Sequence, residues 1–132
     1  MGVSVQWDNT HYAALLYQFD PSWTWDEFDA AVHRANAIMS GQGIPVNILL
    51  DLRQCERLPR GVHGYFRRLD DLAVSFQTGN VVVARGEYFS ELFWLYFWAI
   101  FRKTHHITGD EKPVMFVRSL REAYAIVDSV HA

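Results

Sequence analysis

Apolar and polar positions follow two periods along this chain, one typical of strands and the other of helices. Val3–Trp7 alternates apolar with polar residues, and His11–Phe19 follows a short polar connection, so the two segments predict an antiparallel hairpin. Val46–Leu52 is almost continuously apolar, which is typical of an interior strand covered on both faces. Two further apolar segments, Asn80–Arg85 and Pro113–Val117, predict the remaining strands.

Apolar residues spaced three and four apart predict four helices that follow these strands. The first helix begins at a capping box, in which Thr24 and Glu27 satisfy free backbone amides, and the last begins at a second box, Ser119 with Glu122. The third is the aromatic segment Tyr88–His106. Three of the helices have these expected inward positions: Trp25, Phe28, Val32, Ala35 and Met39; Val62, Tyr65, Phe66, Leu69, Ala73 and Phe76; and Leu120, Ala123, Tyr124, Val127 and Val130.

The resulting element order is β-β-α-β-α-β-α-β-α. Strands that alternate with helices imply right-handed crossovers and a largely parallel sheet. The pattern contains no internal repeat and no linker. The sequence therefore predicts one α/β domain over residues 1–132, with a mixed, mostly parallel sheet of about five strands, an N-terminal antiparallel hairpin and four helices.

The aromatic helix has apolar residues on more than one side. At about 100° per residue, one broad face is expected to pack on the sheet: Phe89, Leu92, Phe93, Tyr96, Phe97 and Ile100. A second face carries Trp94, Trp98, Phe101 and His105. This second face is core beneath a neighbouring helix, a contact with a membrane, or an interface between two copies of the chain. We take the homodimer forward, because tryptophan-rich surface centres are typical anchors and two-fold pairing is the commonest assembly.

Charge and composition exclude several classes of protein. The net charge is −3, which argues against a nucleic-acid binder. Cys55 is the only cysteine, so no intramolecular disulfide forms. The N-terminus does not resemble a secretory signal, and the longest apolar run is about half of what spans a bilayer. These features predict a reduced, cytoplasmic protein with no membrane span.

Candidate chemistry is sparse. Asp51 ends an interior strand, where α/β folds tend to place ligand sites. Arg53, Arg57 and Arg60 follow in one loop and are a candidate anion site with the amides of the helix start at Gly61. The alternative is that Asp51 accepts amide hydrogen bonds in its own loop while the arginines are solvated. Cys55 with His63 fits no nucleophile signature.

A metal site has little support in the sequence. His105 and His106 are adjacent, and neighbouring residues on a helix point about 100° apart, so these imidazoles do not converge on an ion with Asp110 and Glu111. We therefore expect no catalytic residue, no metal and no cofactor.

Three segments, ILLDL, VVVA and FVRSLREAYAIV, resemble the STAS-like (SpoIIAA-like) family, which includes the anti-sigma-factor antagonists. The resemblance covers nearly the whole chain. In phospho-regulated members a serine follows the Asp-Leu strand end, whereas here Asp51-Leu52 leads to Arg60-Gly61, and no Ser or Thr lies between Leu52 and Tyr65. The resemblance therefore implies a member of the uncharacterised single-domain branch, without the phospho-acceptor.

Function is consequently expected to be that of a non-catalytic interaction or regulatory module, homodimeric through the aromatic helix or bound to another protein. The alternative is a carrier or sensor of a small apolar molecule or lipid, which the family's structural kinship with Sec14-type domains implies. An enzyme is the third hypothesis, and no residue pattern supports it.

Overall fold

The computed structural model of the chain describes residues 2–8, 14–40, 43, 45–55, 57–67, 78–87, 90–105, 107 and 114–130. The strands of this part are β1 (Val3–Asp8), β2 (Ala14–Phe19), β3 (Val46–Leu52), β4 (Thr78–Arg85) and β5 (Met115–Val117). The helices are α1 (Trp25–Met39), α2 (Val62–Arg67), α3 (Glu91–Thr104) and α4 (Leu120–Val130). The predicted α/β class and order of elements are confirmed.

All five strands form one mixed sheet, and their order across it is the same as their order along the chain. β1 runs antiparallel to β2, with Val3 opposite Phe19 and Asp8 opposite Ala14, so the predicted hairpin is confirmed. Residues 9–13, which connect these strands, lie outside the described residues. The pairings of β2 with β3, β3 with β4 and β4 with β5 are all parallel.

Two hydrophobic layers cover the sheet. Each of the three parallel crossovers moves one strand further in the same direction, so the right-handed rule puts their helices on one face. That face holds the larger core, where β2 and β3 contribute alternate residues such as Tyr17 and Leu50, and α1 and α3 contribute Phe28 and Phe97. α4 follows the edge strand β5 and covers the opposite face, where it packs on Leu49 and Val82 among others.

Helix α1 begins as the sequence predicts. The Thr24 hydroxyl accepts a hydrogen bond from the Glu27 amide at 3.2 Å, and the Glu27 carboxylate accepts one from the Thr24 amide at 3.0 Å. The capping box therefore satisfies two amides that an uncapped helix would leave unpaired. The buried face of α1 includes all five of its expected inward positions.

The four helices are described to different extents. α1, α3 and α4 each have more than ten residues, whereas α2 is described over six residues only, and residues 68–77 lie outside the described part. Three of the four expected helices are thus found as full helices. α3 begins at Glu91, where the Ser90 hydroxyl accepts from the Phe93 amide at 3.3 Å, and Tyr88 and Phe89 lie outside the described residues. None of the described helices has the length and apolar character to cross a bilayer.

Candidate functional site

A cavity of about 610 Å³ opens where β3, β4 and β5 end. Its lining residues come from the carboxyl ends of these strands and from the segments that follow them: Arg53, Arg85, Gly86, Glu87 and Arg118. Parallel strands end at the same edge of a sheet, and ligand sites of open α/β folds lie at this edge. Among the described lining residues there are three arginines and one glutamate, and the Asp51 carboxylate pairs with Arg53, so their net charge is still positive.

Arg53 is held in place by Asp51. Its Nε donates to one carboxylate oxygen at 2.8 Å and its Nη2 to the other at 2.9 Å, which is the two-pronged geometry of a strong charge-assisted pair. The Arg53 amide and the Gln18 side chain also donate to this carboxylate. Burial alone would raise the pKa of Asp51, but the bonds from the Arg53 side chain and backbone, together with its charge, lower that pKa below the ordinary value. Asp51 is therefore ionised and paired at neutral pH.

Arg85 and Gly86 shape the middle of the cavity. The Arg85 guanidinium lies over the ring of Phe116, 5.7 Å from its centroid, in the geometry of a cation–π contact. A methyl group at Gly86 would collide with the carbonyl oxygen of Arg53. Glycine at this position thus allows the backbones after β3 and β4 to approach closely.

The structure brings together only part of the predicted loop site. Asp51 and Arg53 are in contact at the cavity, whereas Arg57 lines a different groove and Arg60 is exposed without contributing to the cavity lining described above. Reasoning from one loop missed Arg85 and Arg118. The signal was present, because an arginine directly follows the last apolar residue of each of three parallel strands: LLDLR, VVVAR and MFVR.

The predicted interface on α3 needs a correction. Phe101 and His105 are 0% and 1% exposed, so they belong to the core and cannot meet a partner in the folded chain. Phe101 packs edge-on against Tyr17 of β2, with centroids 5.7 Å apart, and His105 stacks on Phe101 at 3.8 Å. For these two residues the structure agrees with the alternative interpretation, in which the second face of the helix belongs to the core.

His105 is a buried polar residue whose bonds define its protonation. Nδ1 lies 2.8 Å from the Thr104 hydroxyl and 3.1 Å from the Phe101 carbonyl oxygen, which can only accept. Nε2 lies 2.8 Å from the Tyr17 hydroxyl, and burial raises the pKa of that phenol. All these groups are satisfied when Nδ1 carries the proton and Tyr17 donates to Nε2. This arrangement makes His105 a structural link between α3 and β2.

Trp94 and Trp98 are half-buried, and Trp94 is turned toward β5. Their rings stack on each other with centroids 5.2 Å apart, and Trp94 meets Phe116 edge-on at 5.1 Å. The face of α3 that packs on the sheet is therefore rotated by about 50° from the predicted one, toward the tryptophans. Leu92 and Tyr96, which were expected in the core, are on the outside instead.

The outside of α3 is an apolar stripe. Leu92, Leu95 and Tyr96 are 63%, 65% and 49% exposed, which is unusual for large apolar residues that lie side by side. A shallow groove of about 230 Å³ runs along one flank of this stripe; its lining includes Leu58 and Phe93. Its volume is below the range of about 300–1,000 Å³ that is typical of small-molecule pockets.

Cys55 has the environment of an inert thiol. It is buried, its Sγ lies 3.9 Å from the Phe19 carbonyl oxygen, and burial raises its pKa to about 12. The side chain of His63, considered with it in the sequence, lies outside the described residues, as do His106, Asp110 and Glu111. Within the described ranges, no three His, Cys, Asp or Glu side chains are grouped as metal ligands would be. The chemistry of the described chain is thus concentrated in the arginine-lined cavity.

Comparison with known proteins identifies no family: no family model, no curated protein and no solved structure matches this chain. The class that the fold and the two surfaces define is an α/β domain with an arginine-lined cavity at the carboxyl edge of its sheet. The resemblance to the STAS-like family stays a prediction from the sequence.

Proposed function

We propose that the chain is a non-catalytic, STAS-like interaction or regulatory module that lacks the phospho-switch and works as a cytoplasmic homodimer through α3. The observation that carries this proposal is the exposed apolar stripe of α3, which has opposite charges at its two ends. The protonated, buried thiol of Cys55 and the paired carboxylate of Asp51 support a non-catalytic role, because neither is available as a nucleophile or base.

The stripe is continuous along the helix. Its exposed members are Glu91, Leu92, Leu95, Tyr96, Ala99 and Lys103. They span an arc of about 140° and a length of about 18 Å. An acidic residue stands at the beginning, a basic residue at the end, and large and small apolar residues lie between them. A stripe of this kind is complementary to a second copy of itself that runs in the opposite direction.

A two-fold axis near the middle of α3 gives a specific register. In an antiparallel pair centred on position 97, Glu91 meets Lys103 of the partner subunit, and Leu95 meets Ala99 of the partner subunit. The opposite charges attract at both ends, and the small Ala99 side chain leaves room for Leu95. A parallel pair would instead bring like charges together.

The interface is small, so we expect a weak dimer. A contact limited to one stripe per subunit falls at the low end of interface sizes, below about 1,200 Å² in total. Burying a leucine stabilises by about 1.5–3 kcal/mol, and each residue counts twice, but association costs at least about 4 kcal/mol. A dissociation constant in the micromolar range is the expected result.

Sedimentation velocity over a range of protein concentrations tests the proposal. Leu95→Glu should give a folded monomer, because it puts a charge at the centre of a dry contact. Ile38→Glu is the matched control, since Ile38 is an exposed apolar residue on α1, outside the stripe, and this variant should dimerise like the parent.

A charge swap tests the register itself. Glu91→Lys and Lys103→Glu should each weaken the dimer, and the double variant should restore it, because the swapped charges again meet across the two-fold axis. A parent that sediments as a monomer up to hundreds of micromolar would overturn the homodimer. Native mass spectrometry adds the alternative outcome: a co-purified lipid on a monomer would favour a carrier of an apolar ligand.

A further inference from the structure

We propose that the cavity at the carboxyl edge of the sheet binds the phosphate group of a small molecule through the guanidinium groups of Arg53, Arg85 and Arg118. The site is separate from the α3 stripe and does not require the dimer. It rests on the register of three strands, on the pairing of Arg53 and on the size and charge of the cavity.

Strand register places the three arginines on neighbouring positions. Leu52 is opposite Arg85, so Arg53 is one residue beyond this pair, and Ala84 is opposite Val117, so Arg85 is level with Arg118. Adjacent strands are about 4.8 Å apart, so the three backbone positions lie within about 10 Å of one another. An anion bound among these positions is close to three guanidinium groups and is attracted by each of them.

Arg53 is prepared for a ligand by its partner. A guanidinium has five N–H donors. Asp51 takes one on Nε and one on Nη2, which leaves both hydrogens of Nη1 and one of Nη2 for other acceptors. The side chain of Arg53 is 40% exposed, so these donors reach the solvent side. The pairing orients the guanidinium before any ligand arrives, which lowers the entropy cost of binding.

The charge and volume of the cavity define the class of ligand. A planar guanidinium can donate two parallel hydrogen bonds to two phosphate oxygens, and Arg is favoured over Lys where this bidentate geometry matters. The volume of about 610 Å³ is within the range for small-molecule sites and is far larger than one phosphate ion needs. The described lining residues are four charged residues and one glycine, so we expect the rest of the molecule to be polar. Glu87 opposes the anion and limits the affinity.

Isothermal titration at constant ionic strength tests the site, with inorganic phosphate and ribose 5-phosphate as probes. Tighter binding of ribose 5-phosphate assigns the site to a phosphate monoester, and equal binding assigns it to the free anion. Arg118→Gln should weaken binding by about ten-fold or more, since it removes hydrogen bonds to a charged group. Glu87→Gln should strengthen it, because a negative charge near the phosphate is lost.

Arg34→Gln is the matched control, since it removes one exposed positive charge from α1 and should leave the affinity unchanged. Circular dichroism confirms that each variant is folded. The proposal is overturned if neither probe binds at millimolar concentration, or if Arg34→Gln weakens binding as much as Arg118→Gln. Either result leaves the sedimentation of the parent, and so the proposed dimer, unaffected.

Discussion

Tyr17 and His105 form a buried polar contact in the core. Both side chains are buried, and the Tyr17 hydroxyl donates to Nε2 at 2.8 Å across the boundary between β2 and α3. A buried imidazole nitrogen that loses its donor still carries the full cost of leaving water. Phe101 packs against both rings, which makes the contact a part of the helix–sheet interface.

Tyr17→Phe should therefore reduce the free energy of unfolding by about 1–3 kcal/mol, although it keeps the ring in place. The measurement is urea denaturation, with Tyr96→Phe as the control, because Tyr96 is half-exposed on the outside of α3 and should change stability by less than about 0.5 kcal/mol. Equal stability of Tyr17→Phe and the parent would show that the hydroxyl is not needed.

Single residues were the hardest to place from the sequence. Asp51 is predicted from its place at the end of an apolar strand, and the structure joins it to Arg53. Arg53, Arg57 and Arg60 are predicted from their shared loop, which says nothing about where each side chain lies in space. Arg85 and Arg118 are distant in sequence and become neighbours only through strand register, so a search by sequence proximity could not find them.

Among the elements, α3 shows where periodicity stops being informative. β1 and α1 follow from alternation, capping and apolar spacing, because each has a polar side that contrasts with its apolar side, whereas β3 follows from its nearly continuous apolar run. α3 is apolar on almost every side, so the positions of its apolar residues do not single out one buried face. The charged positions Glu91 and Lys103 were the better guide, since both are exposed and the buried face lies opposite them. Phe28 of α1 packs against Phe97 and Phe101 of α3, a contact that the periodicity of one helix cannot reveal.

The link between β3 and β4 at their carboxyl ends depends on Gly86. Gly86→Ala should destabilise the protein by about 1–3 kcal/mol, because the new methyl group meets the Arg53 carbonyl oxygen and the backbones must separate. It should also weaken the binding of any ligand in the cavity. Urea denaturation of this variant measures the effect.

Gly64→Ala is the matched control for that experiment. Gly64 lies within α2, where a methyl group meets nothing within 4 Å, so alanine should be neutral or stabilise by up to about 1 kcal/mol. If the two variants lose stability equally, the close approach at Gly86 is not the reason for glycine there.

At the scale of the whole molecule, Asp51 makes the free energy of unfolding depend on pH. Its pKa is lowered in the folded state, so its contribution is fully present above the unfolded value of about 3.9 and is lost as the pH falls through the folded pKa. Asp51→Asn should be less stable than the parent at pH 7. The difference between them should shrink below about pH 4, as measured by denaturant titrations at several pH values. A difference that stays constant down to pH 2.5 would contradict this role of the pair.

The agreement between strand order and chain order has a consequence for how the protein is made. A ribosome releases the chain from its N-terminus, so β2 meets β1, and each later strand meets an edge that has already formed. No strand has to wait for a partner that is still to be synthesised, or to insert between two that are already paired. We expect the sheet to assemble progressively during translation, with β5, only three residues long, and α4 closing the second face at the end.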